Sequence, residues 1–400
     1  TIATELWYNE MVIVPDPNNS FKYYLFHLEM TTQNQGLYYS IVDLSYNNGS
    51  GKVISKNNRL LAGYMGDGIS AVKQGNGRDW WVITRKSNFL SGGSPDNDFY
   101  LFSVTPNGID TLPVQTIGSL NSTNGCSIRF NPSGEKFVFV NLRGLIEEYD
   151  FDRCSGIISN PVNIEQEDSV NSPFIWGTEY SLSGQYLYVS PSIPVSYIYQ
   201  YDTYASNIQA SRKTIFTFNQ FPNAGGALKR GPDGKIYYAL AWNDSVHFNF
   251  PYPDTAYNMY NMNLGVINEP DLPDTTCDFQ PFSFYLGGKR NYWGLPNNPD
   301  YDLGPLVSSP CDTLHLSVNE NSKMDVNLTL YPNPGYGTIN FSSTVDYGEL
   351  RIVDALGKII LIKPLNNGIT FVSDLDTGVY SAQLIVNGNI LNVQKIIIIK

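Results

Sequence analysis

The sequence is poor in positive charge, and this narrows the range of partners. Its 400 residues include 25 Lys and Arg against 37 Asp and Glu, for a net charge of −12. A surface of this sign repels nucleic acid and anionic membranes. No run approaches the roughly 18 apolar residues that a membrane-spanning helix needs. We therefore expect neither a nucleic-acid partner nor a transmembrane segment.

Histidine is scarce, and familiar catalytic motifs are missing. The three histidines are His27, His247 and His315. The sequence has no HExxH, GxSxG or P-loop motif, no GxGxxG in a strand–helix setting and no sialidase-like Asp box. These absences favour a binding role over catalysis. An extracellular hydrolase or lyase that acts on polysaccharides is the alternative.

Cysteine occurs at four positions: Cys126, Cys154, Cys277 and Cys311. None forms a CxxC pair and no His stands at zinc-ligand spacing, which argues against a metal site. An even count is compatible with two disulfides in any of three connectivities. Proximity in sequence favours the pairs 126–154 and 277–311, and free buried thiols are the alternative.

Acidic residues cluster at three places, and each cluster offers oxygen ligands to Ca²⁺. The clusters are Asp96 with Asp98; Asp271 with Asp274 and Asp278; and Asp374 with Asp376. None has the register of an EF-hand. Solvated loops are the favoured interpretation and no cofactor is expected, with Ca²⁺ binding as the alternative.

The abundant residue types indicate sheet and turns. Aromatic residues make up 14% of the chain, with 28 Tyr, beside 34 Gly and 24 Pro. Aromatic side chains favour strands, whereas Gly and Pro favour tight turns. Since uninterrupted helical periodicity is hard to find, the composition predicts a nearly all-β protein.

A hairpin pattern recurs over the first 240 residues. An apolar strand, a turn and an aromatic-rich strand follow one another in MVIVPDPNNSFKYYLF, ISAVKQGNGRDWWVIT, CSIRFNPSGEKFVFV, TEYSLSGQYLYVS and LKRGPDGKIYYAL. The turn residues Asn18, Gly77, Gly134, Gly184 and Gly234 are 59, 57, 50 and 50 residues apart. Intervals of this size are typical of four-stranded β-propeller blades.

Stacked blades bury faces that one small sheet cannot bury alone. Five hairpins, together with the segment 277–297 that we expect to close the ring, predict a β-propeller of six or seven blades over residues 1–300. A set of β-sandwiches would fit the composition but not the near-constant interval.

Some side chains in the hairpins could reach a ligand. Aromatic rings on the upper face of a propeller could stack on sugars, although most such residues pack between blades. The candidates are Trp80, Trp81, Trp176, Trp242 and Trp293. Arg129, Arg143 and Arg230 could reach the central channel, but a position at a strand edge is the simpler interpretation.

Several phrases of this region resemble a known family. VPDPNNSFKYYLF, GLYYSIVDLSYNNGSGKVISKN, EYDFDRCSGIISNP, RGPDGKIYYA and GLPN look like the propeller modules of secreted type IX cargo and gliding-motility-associated proteins, over about residues 10–300. Members of that family usually carry another hairpin before VPDP. Because that hairpin is absent and TIATELWYNEMVIVP lacks both an initiator Met and a charged-then-apolar leader, we expect a processed or trimmed N-terminus.

The composition changes after Trp293. Residues 301–326 are rich in Pro, Asn, Asp and Ser, which predicts a linker. Beyond it, strands are predicted at 328–331, 337–342, 349–353, 358–363, 369–372, 378–386 and 389–399, with turns at 354–358 and 387–388. Seven short strands predict a small Ig-like β-sandwich over residues 327–400.

The chain ends in NVQKIIIIK, an apolar run that would invite edge pairing if it were exposed. We expect the last strand to pair with 378–386 and to be buried on both faces, one in the core and one against a loop or a partner protein. Residues 325–400 carry five basic and six acidic side chains, so a net charge of −1 lies here and −11 elsewhere. A nearly neutral module with an apolar end suits docking.

The tail resembles a second family more specifically. LYPNPGYGTINF, LRIVDALGKII, LDTGVYSAQLIVNG and QKIIIIK are similar to the type A C-terminal sorting domain of type IX secretion cargo. The resemblance implies recognition through Tyr331, Pro332, Asn333, Pro334, Gly337, Asp354, Gly357, Gly378, Val379, Tyr380 and Lys395, and through the terminal residues Ile396, Ile397, Ile398, Ile399 and Lys400.

This resemblance also implies a destination and partners. Such a domain directs passage through the outer membrane, docks on the translocon and its shuttle protein, and is removed by a sortase-like peptidase. We therefore expect a protein that reaches the cell surface or the extracellular space by way of the periplasm. The propeller is expected to be a binding or adhesion module for surface glycans or other surface proteins.

Overall fold

The computed structural model describes residues 10–30, 34–87, 92–168, 174–191, 195–218, 223–242, 257–291, 293–312, 327–336, 338–354, 358–386 and 389–399. The chain divides into two compact units, Thr1–Leu314 and His315–Lys400. Helix in these ranges is limited to single 3-10 turns at Asn47–Gly49, Gln209–Ser211 and Asp274–Cys277. None of the described helices has the length and apolar character needed to cross a membrane.

The first unit consists of antiparallel sheets whose strands follow one another in chain order. Blade 1 contains β1 (Met11–Asp16), β2 (Asn19–Glu29), β3 (Gly36–Asp43) and β4 (Lys52–Ala62). Blade 2 contains β5 (Met65–Lys73), β6 (Trp80–Lys86), β7 (Asp96–Thr105) and β8 (Gly108–Thr111), with β9 (Gln115–Asn121) also paired to β7. Blade 3 contains β10 (Cys126–Phe130), β11 (Lys136–Asn141), β12 (Ile146–Phe151) and β13 (Ile158–Glu165).

The remaining two sheets of this unit repeat the same order. Blade 4 contains β14 (Ile175–Tyr180), β15 (Tyr186–Pro191), β16 (Ser196–Asp202) and β17 (Lys213–Phe218). Blade 5 contains β18 (Asn223–Arg230), β19 (Ile236–Trp242), β20 (Asn263–Ile267) and β21 (Phe279–Tyr285).

Each blade opens with one of the predicted hairpins, and glycine explains the turns. In blade 3 the Gly134 N–H donates to Asn131 O at 3.0 Å, and Gly134 has φ of 72°. A side chain is strained at that φ, and an added Cβ would also come within 2.7 Å of Val72. The turn residues that set the sequence interval thus occupy equivalent places in successive blades.

Apolar clusters lie between successive blades. Phe99 of blade 2 and Phe137 of blade 3 have ring centroids 5.5 Å apart, and Val138 of blade 3 shares a cluster with Leu187 of blade 4. Equivalent clusters join blades 1 and 2 and blades 4 and 5. Because neighbouring sheets cover each other's faces and their first strands make contact, the predicted propeller architecture is confirmed.

The described residues form five blades rather than six or seven. The sequence predicts that the segment 277–297 completes and closes the ring. Instead it contributes β21, which pairs with β20 as the fourth strand of blade 5. The segment therefore completes a blade that the hairpin count already included.

The disulfide joins Cys154 to Cys311, and Cys126 and Cys277 are buried thiols. The predicted pairs 126–154 and 277–311 are therefore wrong, and free thiols apply to two of the four cysteines. Proximity in sequence misled because the chain returns from blade 5 across the propeller before it reaches Cys311.

This returning segment, residues 293–312, is called the strap here. Trp293 O accepts a hydrogen bond from the Ala227 N–H of blade 5 at 2.6 Å. The Asn297 amide then donates to Ile69 O of blade 2 at 2.7 Å. The strap thus bridges blades that are distant in the chain order.

The strap includes the first part of the predicted linker. Tyr301 donates its hydroxyl to Ile13 O of blade 1 at 2.9 Å, and the Leu306 N–H donates to Gly75 O of blade 2 at 2.8 Å. Residues 301–312 are therefore packed on the propeller. The rest of the predicted linker, 313–326, lies outside the described residues.

The second unit contains β22 (Leu328–Tyr331), β23 (Ile339–Ser343), β24 (Tyr347–Asp354), β25 (Ile359–Asn366), β26 (Ile369–Val372), β27 (Gly378–Val386) and β28 (Asn389–Ile398). The seven predicted strands are present, in the hydrogen-bonded order β22-β23-β26-β25-β24-β27-β28. A parallel bridge between Gly335 and Ile398 brings the two ends of this order together, and the strands enclose one apolar core. The predicted turns fall largely on 355–357 and 387–388, outside the described residues.

Candidate functional site

Asn333 joins the YPNP segment, residues 331–334, to the last strand by hydrogen bonds. Its side-chain oxygen accepts the Ile397 N–H at 2.8 Å, and its side-chain nitrogen donates to Lys395 O at 2.8 Å. The amide therefore pairs with the outer edge of β28 as a neighbouring strand would. Pro332 and Pro334 flank it, each after a cis peptide bond.

Gly335 extends this pairing by two backbone hydrogen bonds. Its N–H donates to Ile397 O at 2.8 Å, and its carbonyl accepts the Ile399 N–H at 3.0 Å. Sequence reasoning did not single out this glycine. The available signal was its place immediately after YPNP, because Pro334 has no N–H with which to continue the pairing.

The four terminal isoleucines alternate in burial, so one face of the run lies in the core, as expected, and the other is only partly covered within the chain. Coverage of that second face by a partner protein stays a prediction. Ile396 is 0% and Ile398 3% exposed, whereas Ile399 is 37% exposed and Ile397 is half-buried. A regular strand points successive side chains to opposite faces, and β28 follows this rule. What protects the run is the covered backbone edge, together with the burial of alternate side chains.

The other motif residues lie in register with this strand. Gly378, Val379 and Tyr380 of β27 pair with residues 396–398 of β28. On the far side of β27, Tyr380 pairs with Asp354 of β24. Gly337, Gly357 and Lys400 lie outside the described residues.

The structure therefore brings most of the predicted recognition residues to one end of the second unit. We call residues 331–335, 378–380 and 395–399 the terminal patch. Tyr331 is 77% exposed and Val379 49% exposed, so the patch presents large apolar groups to solvent. Exposed apolar surface of this kind commonly marks a place where another protein binds.

A second candidate site lies in the propeller, where a cavity of about 730 Å³ opens between the first strands of blades 2 to 5 and the strap. Its lining includes Arg129 of β10, Glu179 of β14 and Lys229 of β18, and the strap contributes residues 298–303. Small-molecule sites usually have volumes in this range. This space is called the strap cavity below.

Positive charge predominates on the strands that line the strap cavity. Arg129 Nε lies 3.7 Å from a Glu179 carboxylate oxygen, and these residues are only 9% and 2% exposed. Glu179 also accepts the backbone N–H groups of Tyr180 and Arg230, each at 3.1 Å. On these strands one carboxylate thus stands against the charges of Arg129, Arg230 and Lys229.

Lys229 has a weakly neutralised ammonium group. Its Nζ donates to Asn298 O of the strap at 2.6 Å, and no carboxylate of the described residues lies within 4.0 Å of it. Burial and the nearby charge of Arg129 lower the pKa of Lys229 to about 8. Sequence reasoning missed this residue because a lysine before a GPDG turn resembles any strand-edge charge.

The predicted arginines and tryptophans divide between different environments. Arg129 and Arg230 do line the cavity, whereas Arg143 donates to the Ser122 hydroxyl at 2.8 Å. Trp80 and Trp81 are buried against neighbouring strands, at 1% and 5% exposure. Trp293 is also buried at 5%, and the side chains of Trp176 and Trp242 lie outside the described residues.

The acidic clusters have ordinary local roles in the described residues. Asp98 accepts the Thr116 hydroxyl at 2.5 Å, and Asp271 accepts both the N–H and the hydroxyl of Ser183. No group of three or more His, Cys, Asp or Glu suited to a metal ion occurs within the described ranges. His27 is buried in β2, and His247 and His315 lie outside those ranges.

Comparison with known proteins identifies the tail. Residues 329–400 match the family model described as the secretion system C-terminal sorting domain. No curated protein sequence matches the chain.

Solved structures show only distant likeness. A putative 6-phosphogluconolactonase from Bacteroides uniformis is 13% identical with a TM-score of 0.35, over 59% of this chain and 81% of its own. PorZ, a surface component of the type IX secretion system of Porphyromonas gingivalis, is 10% identical with a TM-score of 0.33, over 98% of this chain and 51% of its own. The β-propeller domain of Cps50 (Swd1) from Myceliophteria thermophila is 11% identical with a TM-score of 0.34, over 57% and 65%. These likenesses are too remote to transfer a function.

Proposed function

We propose that residues 329–400, which match the C-terminal sorting domain family, direct export of the protein by type IX secretion to the cell surface or the extracellular space, and that the export machinery recognises the terminal patch. We further propose that the propeller is a binding module at the destination. The translocon and the outer-membrane shuttle protein are the proposed docking partners. A sortase-like peptidase is proposed to remove the domain after passage.

The observation that carries the recognition proposal is the convergence of the motif on β28. Asn333 and Gly335 hold the terminal strand by four hydrogen bonds. The segment therefore fixes the shape of the end of the domain while Tyr331 and Val379 stay exposed. A receptor that binds this end of the domain would contact both a backbone of fixed conformation and exposed apolar side chains.

The test is an export assay with residues 315–400 fused to a fluorescent passenger in a host that has this secretion system. We expect the fusion to reach the medium or cell surface, and Asn333→Ala to leave most of it in the periplasm. Asn366→Ala is the matched control, because Asn366 is exposed on β25 and its side chain has no hydrogen bond to the part of the chain that the structure describes. Equal export of the two variants would refute recognition through the patch.

The strap cavity supports a binding role for the propeller. It combines a volume suited to a small ligand with buried charge that a purely structural channel does not need. Adhesion to surface glycans or surface proteins, and a part in gliding motility, are the processes that such binding would serve. The absence of familiar catalytic motifs from the sequence keeps the polysaccharide-active enzyme as the less favoured alternative.

The binding role is tested on cells that lack the gene for this protein. Labelled full-length protein is added to them, and the amount retained after washing is measured. We expect saturable retention that falls when Lys229 is replaced by Gln and is unchanged by Lys213→Gln, since Lys213 is exposed on β17. Retention that does not saturate would contradict a binding module.

A further inference from the structure

The cationic side chains of the strap cavity have hydrogen-bond donors to spare. An ammonium group has three donors and Lys229 uses one of them, for Asn298 O. A guanidinium has five, and the contacts of Arg129 to Thr178 O at 3.4 Å and to the Asn297 side chain at 3.5 Å are both long. A ligand with a charged acceptor would complete these groups.

The same cavity also offers acceptors. Asp300 and Asp302 of the strap line it, as does Asp233 in the turn between β18 and β19. Among the described residues Asp300 accepts only the Asp302 N–H, at 3.0 Å, so its carboxylate keeps further lone pairs for a ligand. The cavity therefore suits a ligand that carries hydroxyl donors besides its negative charge.

These two properties together select a ligand class. A phosphorylated or sulfated polymer would satisfy the cations but would be repelled by three aspartates and by the net charge of −12. A neutral sugar would satisfy the aspartates but would leave the half-buried ammonium of Lys229 without a charged partner. A sugar acid has one carboxylate and several hydroxyls, which matches both sets.

We propose that the strap cavity binds a saccharide that carries a carboxylate, with Lys229 and Arg129 holding the carboxylate and the aspartates of the strap accepting hydrogen bonds from hydroxyls. The cations come from blades 3 and 5 and the aspartates from the strap, so the site depends on how the strap crosses the first unit. This proposal rests on the binding role proposed for the propeller and specifies its ligand.

Isothermal titration calorimetry of the full chain tests the proposal with matched pairs of probes. The probes are trimers of galacturonate, mannuronate and guluronate, each compared with its methyl ester, which keeps the shape and removes the charge. We expect at least one acid to bind roughly tenfold more tightly than its ester, as loss of a charge-assisted hydrogen bond predicts. An ester that binds as tightly as its acid would overturn the proposal.

Variants locate the binding. Lys229→Gln should weaken binding of the acid roughly tenfold and erase the difference between acid and ester, while Lys229→Arg retains the charge and should restore most of both. Lys213→Gln is the control and should change nothing. Each variant is first checked for an unchanged melting curve. Binding of the acid that survives Lys229→Gln in a folded protein places the carboxylate elsewhere and refutes the assignment.

The pH dependence is an independent readout. Because the pKa of Lys229 is lowered to about 8, its positive charge is present below that pH and is lost above it. Affinity for the acid should therefore fall between pH 7 and pH 9, and the Lys229→Arg variant should not show that fall.

The outcomes separate the ligand class from the binding role. If no acid trimer binds at millimolar concentration while cells still retain the protein saturably, the saccharide-acid proposal fails and the binding role stands. If cell retention is also absent, both fail.

Discussion

The propeller and the sorting domain differ in the side chains that they bury. Buried charged residues occur in blades 1 to 4, among them Glu29, Arg85, Glu147 and Glu179. In the described part of the second unit every buried side chain is apolar, and large apolar side chains such as Ile369, at 62% exposure, face solvent.

Arg85 is an example of a buried charge in the interior of the propeller. It is fully buried, with its guanidinium 4.7 Å from the ring centroid of Phe99 and 4.4 Å from that of Phe139, and it donates to Asp96 O at 2.8 Å. Burial lowers the pKa of Arg85. Buried charges need partners in fixed places, so this unit is built for a defined polar geometry, whereas the tail is built around one apolar core with apolar groups outside.

The largest expected effect concerns the covalent bond that only the propeller has in the described residues. Replacing Cys154 and Cys311 by Ser should lower the free energy of unfolding of the first unit by about 5 kcal/mol, because the bond closes a loop with a sequence separation of 157. Urea unfolding followed by tryptophan fluorescence measures this unit alone, since all six Trp precede residue 294.

Reduction of the native protein is the control for this change. Reductant should move the native protein to the stability of the double variant and leave the variant unaffected. If calorimetry shows an equal loss of stability in the second unit, the disulfide does not stabilise the first unit alone and the comparison of the two units is wrong.

The next largest effect concerns the apolar core of the second unit and its free energy of unfolding. Ile398→Ala should destabilise the second unit by about 2 to 5 kcal/mol because Ile398 is 3% exposed in that core. Ile399→Ala should stay within about 0.5 kcal/mol, since Ile399 is 37% exposed and adjacent in sequence. Differential scanning calorimetry of the full chain separates the transitions, and similar losses for both variants would contradict the alternating burial.

The smallest expected effect is a pH dependence of the stability of the propeller, caused by the buried His27. His27 is 0% exposed, its two ring nitrogens have no hydrogen-bond partner among the described residues, and burial lowers its pKa. The unfolded chain therefore takes up a proton that the folded chain resists, so stability should fall as pH drops below about 6.5, by at most about 1.4 kcal/mol per pH unit.

The variant His27→Phe serves as the comparison for this titration. It keeps the ring stacked on Tyr38, whose centroid is 5.8 Å away, and has no group to protonate. Urea unfolding at pH 7 and pH 5.5 should show a smaller loss for the variant. Equal losses would mean that other groups set the acid sensitivity of the propeller.

Local features were predictable from the sequence, because they depend on neighbouring residues. Turn glycines such as Gly134 and the apolar run around Phe137 determine a hairpin within a few residues. The strands of the tail were placed for the same reason, to within three residues at each end.

Long-range features were not predictable in the same way. The bond between Cys154 and Cys311 and the hydrogen bond from Ile397 to Asn333 join positions that only the finished fold brings together. Similarly, nothing in the residues around Phe279 distinguishes the fourth strand of one blade from the first strand of another. Composition alone cannot assign a partner to a strand or a cysteine.

The place of the disulfide along the chain determines where mechanical tension enters the propeller. Traction applied to the C-terminal end passes from Cys311 directly to Cys154, which follows β12 of blade 3. Because the strap and blades 4 and 5 lie within the loop that the disulfide closes, they do not carry this force. Force on the C-terminal end would therefore act on blade 3, and the strands of blade 5 would not be unfolded one after another.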